Sequence, residues 1–240
     1  MANSYFQFKQ FTIHQDHCAM KVTTDACLFG AWAAEEVQRQ LPDVKRVLDI
    51  GTGTGLLSLM LAQKTNVPVD AVEIDPDAFE QAKENISASP WRDKVTVYEA
   101  DAAQFEFASK YDIIISNPPF YENELKSGDA KKNLAHHEGL SLQQLLKLIT
   151  ENLSPGGSFF LLLPYKRDEE AEKMINAGGL SIIQKIFVRQ SVRHDSFRIM
   201  IKGGHGGDNK KSTTEISIWD EQHQYTPEFL ALLRDYYLYL

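Results

Sequence analysis

The chain has 240 residues, 43% of them apolar, which is enough for a sizeable core and sets one α/β domain as the default. Its formal net charge of −8 gives no compositional sign of a nucleic-acid binder, so only local clusters of cations could supply one. Cys18 and Cys27 form no metal-ligand pattern and fit a reduced, cytoplasmic setting; Met1 to Tyr5 lack the charged and apolar regions of a signal peptide, and no apolar run approaches membrane-spanning length.

Tyr5 to Ile13 alternates aromatic and polar residues, the pattern of a strand or hairpin arm lying over a core. Thr24 or Asp25 either simply caps a predicted helix that runs to about Gln40 or faces a ligand beside the free N–H groups of its N-terminus. Arg46 to Ile50 reads as a buried strand, followed at once by Gly51-Thr52-Gly53-Thr54-Gly55 and a helix from Leu56. Strand, glycine turn and helix make the nucleotide-binding element of doubly wound folds. The G-x-G-x-G spacing, with no Gly-Lys-Ser/Thr after it, excludes a P-loop and differs from the usual dinucleotide fingerprint.

The next strand, Val69 to Glu73, ends on an acid about 20 residues beyond the glycine turn, the place of a ribose-binding carboxylate. Asp75 competes for that role, but Pro76-Asp77-Ala78 reads as a helix start and makes Asp75 its cap. The helix continues to Ser87. Lys94 to Tyr98 is a third strand, closed by Glu99-Ala100-Asp101-Ala102, where an acid either accepts from an adenine amino group or is a surface loop acid.

Tyr111 to Ser116 is a short, β-branched, buried strand that stops at Asn117-Pro118-Pro119-Phe120. The prolines enforce an extended turn and donate no N–H. The side-chain carbonyl of Asn117, the backbone carbonyl of Pro118 and the ring of Phe120 suit a planar molecule bearing an amino group; an ordinary Pro-Pro turn has the same letters. A polar loop with Lys126, Lys131 and Lys132 follows. His136-His137-Glu138 lacks a third ligand, and adjacent histidines on a helix diverge, so no metal is expected. Leu142 to Leu153 has helical spacing and is stopped by Pro155-Gly156-Gly157. Ser158 to Leu163 is a strand, Asp168 to Ala177 a helix, and Ser181 to Val188 and Phe197 to Lys202 late strands. Gly203 to Lys211 reads as a hairpin loop, Glu215 to Trp219 as a returning strand, and Pro227 to Tyr236 as a terminal helix.

Strand–GxGxG–helix, strand–Glu, strand–Asp and strand–NPPF, over residues 46–203, resemble a Class I S-adenosylmethionine-dependent methyltransferase of the branch that methylates planar nitrogens. With Phe11 to Asp16 and Lys21 to Asp25, the chain is similar to bacterial tRNA1(Val) (adenine-37 N6)-methyltransferases. The resemblance implies a Rossmann-like fold: a mostly parallel seven-stranded sheet, helices on both faces, residues 1–42 as an N-terminal extension and 43–240 as the catalytic core of a monomeric single domain. It implies S-adenosylmethionine as cofactor and tRNA as partner. Gly51, Thr52, Gly53 and Gly55 would line the methionine side, Glu73 would hold the ribose, and Asp101 and Ala102 the adenine. Lys21 and Thr24 would approach from the N-terminal side, and Asn117, Pro118, Pro119 and Phe120 would form the catalytic tetrad. Guanine N2 and a glutamine amide are the alternative acceptors, and a non-catalytic binding module the alternative class. For an acidic chain the RNA contact would fall to a rim of Lys126, Lys131, Lys132, Lys166, Arg167, Lys185, Arg189, Arg193, Arg198, Lys202, Lys210 and Lys211, unless these are solvated strand and loop faces.

Overall fold

The computed structural model describes residues 3–119, 140–206 and 211–240. At the N-terminus, β1 (Tyr5–Gln7) and β2 (Thr12–His14) pair as an antiparallel hairpin, Phe6 opposite Ile13. Its rings pack inward: Phe8 stacks on Phe11 at 4.5 Å, and both are buried. Helix α1 (Thr24–Gln38) follows, with Thr23 as its N-cap rather than Thr24 or Asp25, and the Thr23 side chain makes no capping bond.

The sheet is then built around central strands that are mostly apolar and buried, as expected where helices cover both faces. In chain order these are β3 (Val47–Ile50), β4 (Val69–Glu73), β5 (Val95–Glu99), β6 (Tyr111–Ser116), β7 (Leu153–Pro164), β8 (Leu180–Ser191), β9 (Ser196–His205) and β10 (Ser212–Trp219). Between them lie α2 (Leu56–Thr65), α3 (Pro76–Ser87), α4 (Leu142–Asn152) and α5 (Asp168–Ala177), with α6 (Pro227–Leu233) after the last strand. The spatial order is β5-β4-β3-β6-β7-β9-β8-β10, antiparallel only where β9 pairs with β7 and β8.

The Rossmann-like, mostly parallel sheet expected from the sequence is present, with eight strands instead of seven. The extra one is β10, which runs parallel to β8 from Ser212 opposite Gln184 to Trp219 opposite Ser191. It covers an edge that β8 would otherwise leave unpaired, and it buries Ile216 and Ile218. Gly203 to His205 belong to β9, and β9 and β10 lie on opposite sides of β8 and do not pair with each other; residues 207–210 of the expected hairpin loop lie outside the described residues.

The period-two alternation of the central strands divides the core in two. Leu48, Ile50, Phe159, Leu161 and Leu163 face α4 and α5, whereas Val47, Phe160 and Leu162 face α1, α2 and α6. A Cβ on Gly30 of α1 would lie 2.6 Å from Met60 Sδ on α2, so a larger residue there would displace the Met60 side chain. Asp75 caps α3 by accepting from Asp77 and Ala78 N–H, as read from Pro76. Pro155-Gly156-Gly157 does not end the preceding helix: α4 stops at Asn152 and the three residues lie within β7. Among the described residues, no helix is long and apolar enough to cross a membrane.

Candidate active site

The order of strands reverses between β3 and β6, since the chain leaves β3 for β4 and β5 on one side and returns to β6 on the other. Ligands of open α/β sheets bind outside the carboxyl ends of the strands at such a point. The register sets Ile50 opposite both Val72 and Ser116, so the glycine turn, Glu73 and Asn117 leave three neighbouring strand ends together.

Gly51, Gly53 and Gly55 have φ of 71°, 56° and 81°, the left-handed region, which explains a glycine at every second position. The turn is tied down from within. Gly51 and Thr52 N–H donate to Val72 C=O at 2.9 and 3.2 Å, and Gly55 N–H donates to Thr52 C=O. A Cβ on Gly51 or Gly53 would meet nothing within 4 Å, so both glycines border open space; at Gly55 it would meet Ile86 of α3 at 3.4 Å.

Glu73 is buried, and its carboxylate is fixed by backbone. Oε2 accepts from Gly53 N–H at 2.7 Å, and Oε1 from Ile74 and Asp75 N–H at 3.0 Å each. Three of about four acceptor positions of a carboxylate are thereby used. Asp101 accepts from Ala103 N–H at 2.9 Å and from Gln104 Nε2 at 2.7 Å, ordering the turn that carries Ala102.

These groups border one cavity of about 330 Å³. Its walls bring together Gly51, Gly53, Glu73, Asp101, Ala102, Asn117, Pro118 and Pro119 from the sequence-predicted set. Four others lie elsewhere. Thr52 Oγ1 donates to Asp49 at 2.7 Å, and Gly55 packs on α3. Lys21 Nζ donates to the carbonyls of Gln15 and, at 3.0 Å, Cys18. Thr24 faces a different groove. Phe120, Lys126, Lys131, Lys132 and the His136-His137-Glu138 run lie outside the described residues.

Sequence reasoning passed over two features. The first is the loop Cys18-Ala19-Met20, which closes one wall of the cavity. It is shaped by Lys21 from one side and by buried Gln15, which accepts from Val22 N–H at 2.7 Å. Asn85, also buried, joins β2 to the glycine turn by donating to His14 and Thr54 carbonyls. The second is Asp49, fully buried beneath the turn, whose Oδ2 accepts from Thr52 and Ser58 hydroxyls at 2.7 Å each. Its Oδ1 has no partner among the described residues. Burial pushes its carboxyl from the ordinary 3.8 up to about 6, against the hydroxyl hydrogen bonds that lower it.

A raised carboxyl favours the folded state at low pH: the contribution is complete below 3.8 and is lost as pH rises through about 6. A change of that size corresponds to on the order of 3 kcal/mol. The stability of an Asp49→Asn variant relative to wild type should therefore increase by that order between pH 4 and pH 8 in the ligand-free protein. Urea unfolding at the two pH values measures it; a pH-independent difference would mean that Asp49 titrates ordinarily.

Asn117 is also the meeting point of two spaces. Together with Met20 it lines both the first cavity and a cleft of about 570 Å³ on the other side, walled by Thr23, Asp25, Tyr165, Lys166, Phe197 and Arg198. Its Oδ1 is buried without a hydrogen-bond partner among the described residues. Such an acceptor costs about 1–3 kcal/mol unless something donates to it.

The cations placed on a rim by sequence are mostly occupied. Lys185 is buried and paired with Asp168 and with Glu172 at 2.7 Å. Lys211 also binds Glu172, and Lys202 binds Glu36 at 2.8 Å. Arg167 pairs with Glu170, Arg189 with Glu215, and Arg198 with Asp25 at 2.7 Å. Arg193 lies 4.0 Å from Glu221. Lys166, on the cleft wall, has no carboxylate partner among the described residues.

A glycine turn against Glu73 at the switch point of this sheet defines a Class I methyltransferase. The family model of the methyltransferase small domain matches residues 33–174. In the solved structures, a predicted O-methyltransferase of Agrobacterium tumefaciens superposes with a TM-score of 0.65 at 17% identity, covering 88% of this chain and 96% of its own. More closely, the chain is 40% identical to the tRNA1(Val) (adenine(37)-N6)-methyltransferase of Parabacteroides distasonis over 99% of both chains. It is 41% identical to that of Dyadobacter fermentans over 98% of both. The chain belongs to the tRNA1(Val) (adenine(37)-N6)-methyltransferase family, whose methyl donor is S-adenosylmethionine.

Proposed function

We propose that this chain methylates N6 of adenine 37 in tRNA1(Val) in the cytoplasm, with Asn117 and Pro118 as the groups that align the amino nitrogen. The observation that carries the reading is the Oδ1 of Asn117, without a partner among the described residues and at the junction of two cavities.

The residues of the smaller cavity fit S-adenosylmethionine. Glycines 51 and 53 leave room for close approach, Glu73 offers its remaining acceptor position to a ribose hydroxyl, and the orphaned Oδ1 of buried Asp49 favours a cationic ligand above the turn. Ile74, 48% exposed directly after a buried strand, and Ala102 supply apolar surface for a base. When bound, the cofactor supplies a methyl group on a positively charged sulfur.

The larger cleft receives the adenine. The lone pair of an exocyclic adenine nitrogen is delocalised into the ring, which makes it a poor nucleophile. Asn117 Oδ1 and the Pro118 carbonyl accept its two N–H bonds and draw the nitrogen towards tetrahedral geometry, with the lone pair directed into the cofactor cavity. Alignment of this kind lowers the barrier without a strong base. The aromatic walls, Tyr165 and Phe197, and Phe120 of the tetrad hold the base by stacking, which favours a base already out of its helix, as in an RNA loop.

Labelled methyl transfer to tRNA1(Val) transcripts bearing adenine or guanine at position 37, followed by nucleoside analysis, tests this. N6-methyladenosine should form on the adenine transcript alone. Methylguanosine on the other transcript, or no product on either, removes the reading.

A further inference from the structure

Among the described residues, most of the cations expected on an RNA-binding rim are already paired with acids. Ring surface is available instead. A groove of about 530 Å³ runs between the N-terminal hairpin and the C-terminal tail, with Tyr5, Tyr225, Tyr237, Tyr239 and Thr24 in its lining. The tail is fixed to the hairpin: Phe8 bridges Tyr237, Lys9 N–H donates to Tyr236 C=O at 2.8 Å, and Lys9 Nζ donates to Leu240 O at 3.2 Å.

The floor of the groove is a packed aromatic array. Tyr225 stacks between Trp219 at 4.1 Å and Phe229 at 4.5 Å, and Tyr237 lies 5.4 Å from Phe6. Its rim differs, since Tyr5 is 50% exposed and Tyr239 94% exposed. Both rings stand on a backbone held by these contacts and present surface to solvent, Tyr5 also meeting the His14 ring at 6.0 Å. The groove and the catalytic cleft adjoin at the start of α1. Consecutive residues at the start of α1 alternate between the two spaces, Thr23 and Asp25 lining the cleft and Thr24 the groove.

We infer that this groove holds unpaired nucleotides of the RNA substrate flanking the target adenine, through stacking on Tyr5 and Tyr239. The inference rests on the reading of the chain as a tRNA methyltransferase. Stacking suits the molecule because it attaches bases without phosphate contacts and tolerates any base. It also accounts for how a chain of net charge −8 retains an anionic substrate.

The test uses the full chain and a fluorescent anticodon stem-loop of tRNA1(Val). Tyr5→Ala with Tyr239→Ala should raise Kd and KM for RNA by about tenfold to a hundredfold. S-adenosylmethionine affinity, kcat at saturating RNA and melting temperature should stay at wild type, because both rings are exposed. Tyr5→Phe with Tyr239→Phe should restore binding, since the rings remain. Unchanged Kd and KM in the double alanine variant, while the wild type methylates adenine 37, would overturn the groove and leave the enzymatic reading intact. Failure of the phenylalanine pair to restore binding would overturn stacking as the cause. A wild-type chain that leaves adenine 37 unmethylated would overturn the reading beneath both.

Discussion

Asn117→Ala is expected to lower kcat by about 100- to 1,000-fold, the range for removing one preorganised hydrogen-bonding group at a reacting centre. The carbonyl oxygen is buried without a partner among the described residues, so the protein already carries the desolvation cost of placing it there. An incoming N–H relieves that cost, and relieves it most as the nitrogen leaves planarity and its N–H bonds bend towards the two acceptors. The interaction therefore belongs to the transition state more than to the bound ground state. RNA affinity should change little, and kcat and kcat/KM should fall together. Alanine also removes an orphaned acceptor, so the variant should be no less stable than wild type and can be checked by its melting curve. Phe120→Ala provides the contrast: a stacking ring holds the base before transfer, so KM should rise as well. Single-turnover formation of N6-methyladenosine at saturating cofactor measures both. Turnover near wild type in Asn117→Ala would remove the tetrad from the reaction.

The backbone of the site was legible because its residues punctuate the chain. Glycines at alternate positions require left-handed φ, prolines stop a strand, and an acid ends the next strand; each feature is local and each lies at a strand end. What escaped reading depends on distant partners. Lys21 has the letters of a cofactor-facing cation, but it donates its hydrogen bonds to the carbonyls of Gln15 and Cys18, and the wall of the cavity is instead the loop it braces. Asn85 acts on the glycine turn from α3, and nothing in its own helix signals this. The cations between residues 185 and 211 look unopposed along the sequence because their acids lie elsewhere: Asp168 and Glu172 on α5, Asp25 and Glu36 on α1. The residues of β10 have the pattern of a strand, but its place beyond β8 is a matter of pairing and not of composition. In sequence Asp49 is the interior of a strand; its unusual state comes from burial beneath a turn that only the fold assembles.

Glu73→Ala is expected to weaken S-adenosylmethionine by two routes that can be separated. The direct one is the hydrogen bond between Oε2 and a ribose hydroxyl, worth about 1.5–3 kcal/mol because the acceptor is charged, or roughly tenfold to a hundredfold in Kd. The indirect one is loss of order in the turn. The same carboxylate accepts from Gly53, Ile74 and Asp75 N–H, so alanine leaves three donors without their partner and frees Gly53 to move. Glu73→Gln separates the two. Its amide oxygen can serve either Gly53 or the pair at Ile74 and Asp75, but its NH2 sets a donor against the donors on the other side. The turn is then disturbed about as much as in alanine, whereas a hydroxyl of the ligand can still accept from the amide. A Gln variant that binds the cofactor distinctly better than Ala, with a similarly lowered melting temperature, would assign most of the loss to the ribose contact. Equal weakening in both would assign it to the turn. Titration calorimetry with S-adenosylhomocysteine, which lacks the methyl group and the positive sulfur, reads the ribose side without the sulfonium charge. Wild-type affinity in Glu73→Ala would exclude Glu73 from the cofactor site altogether.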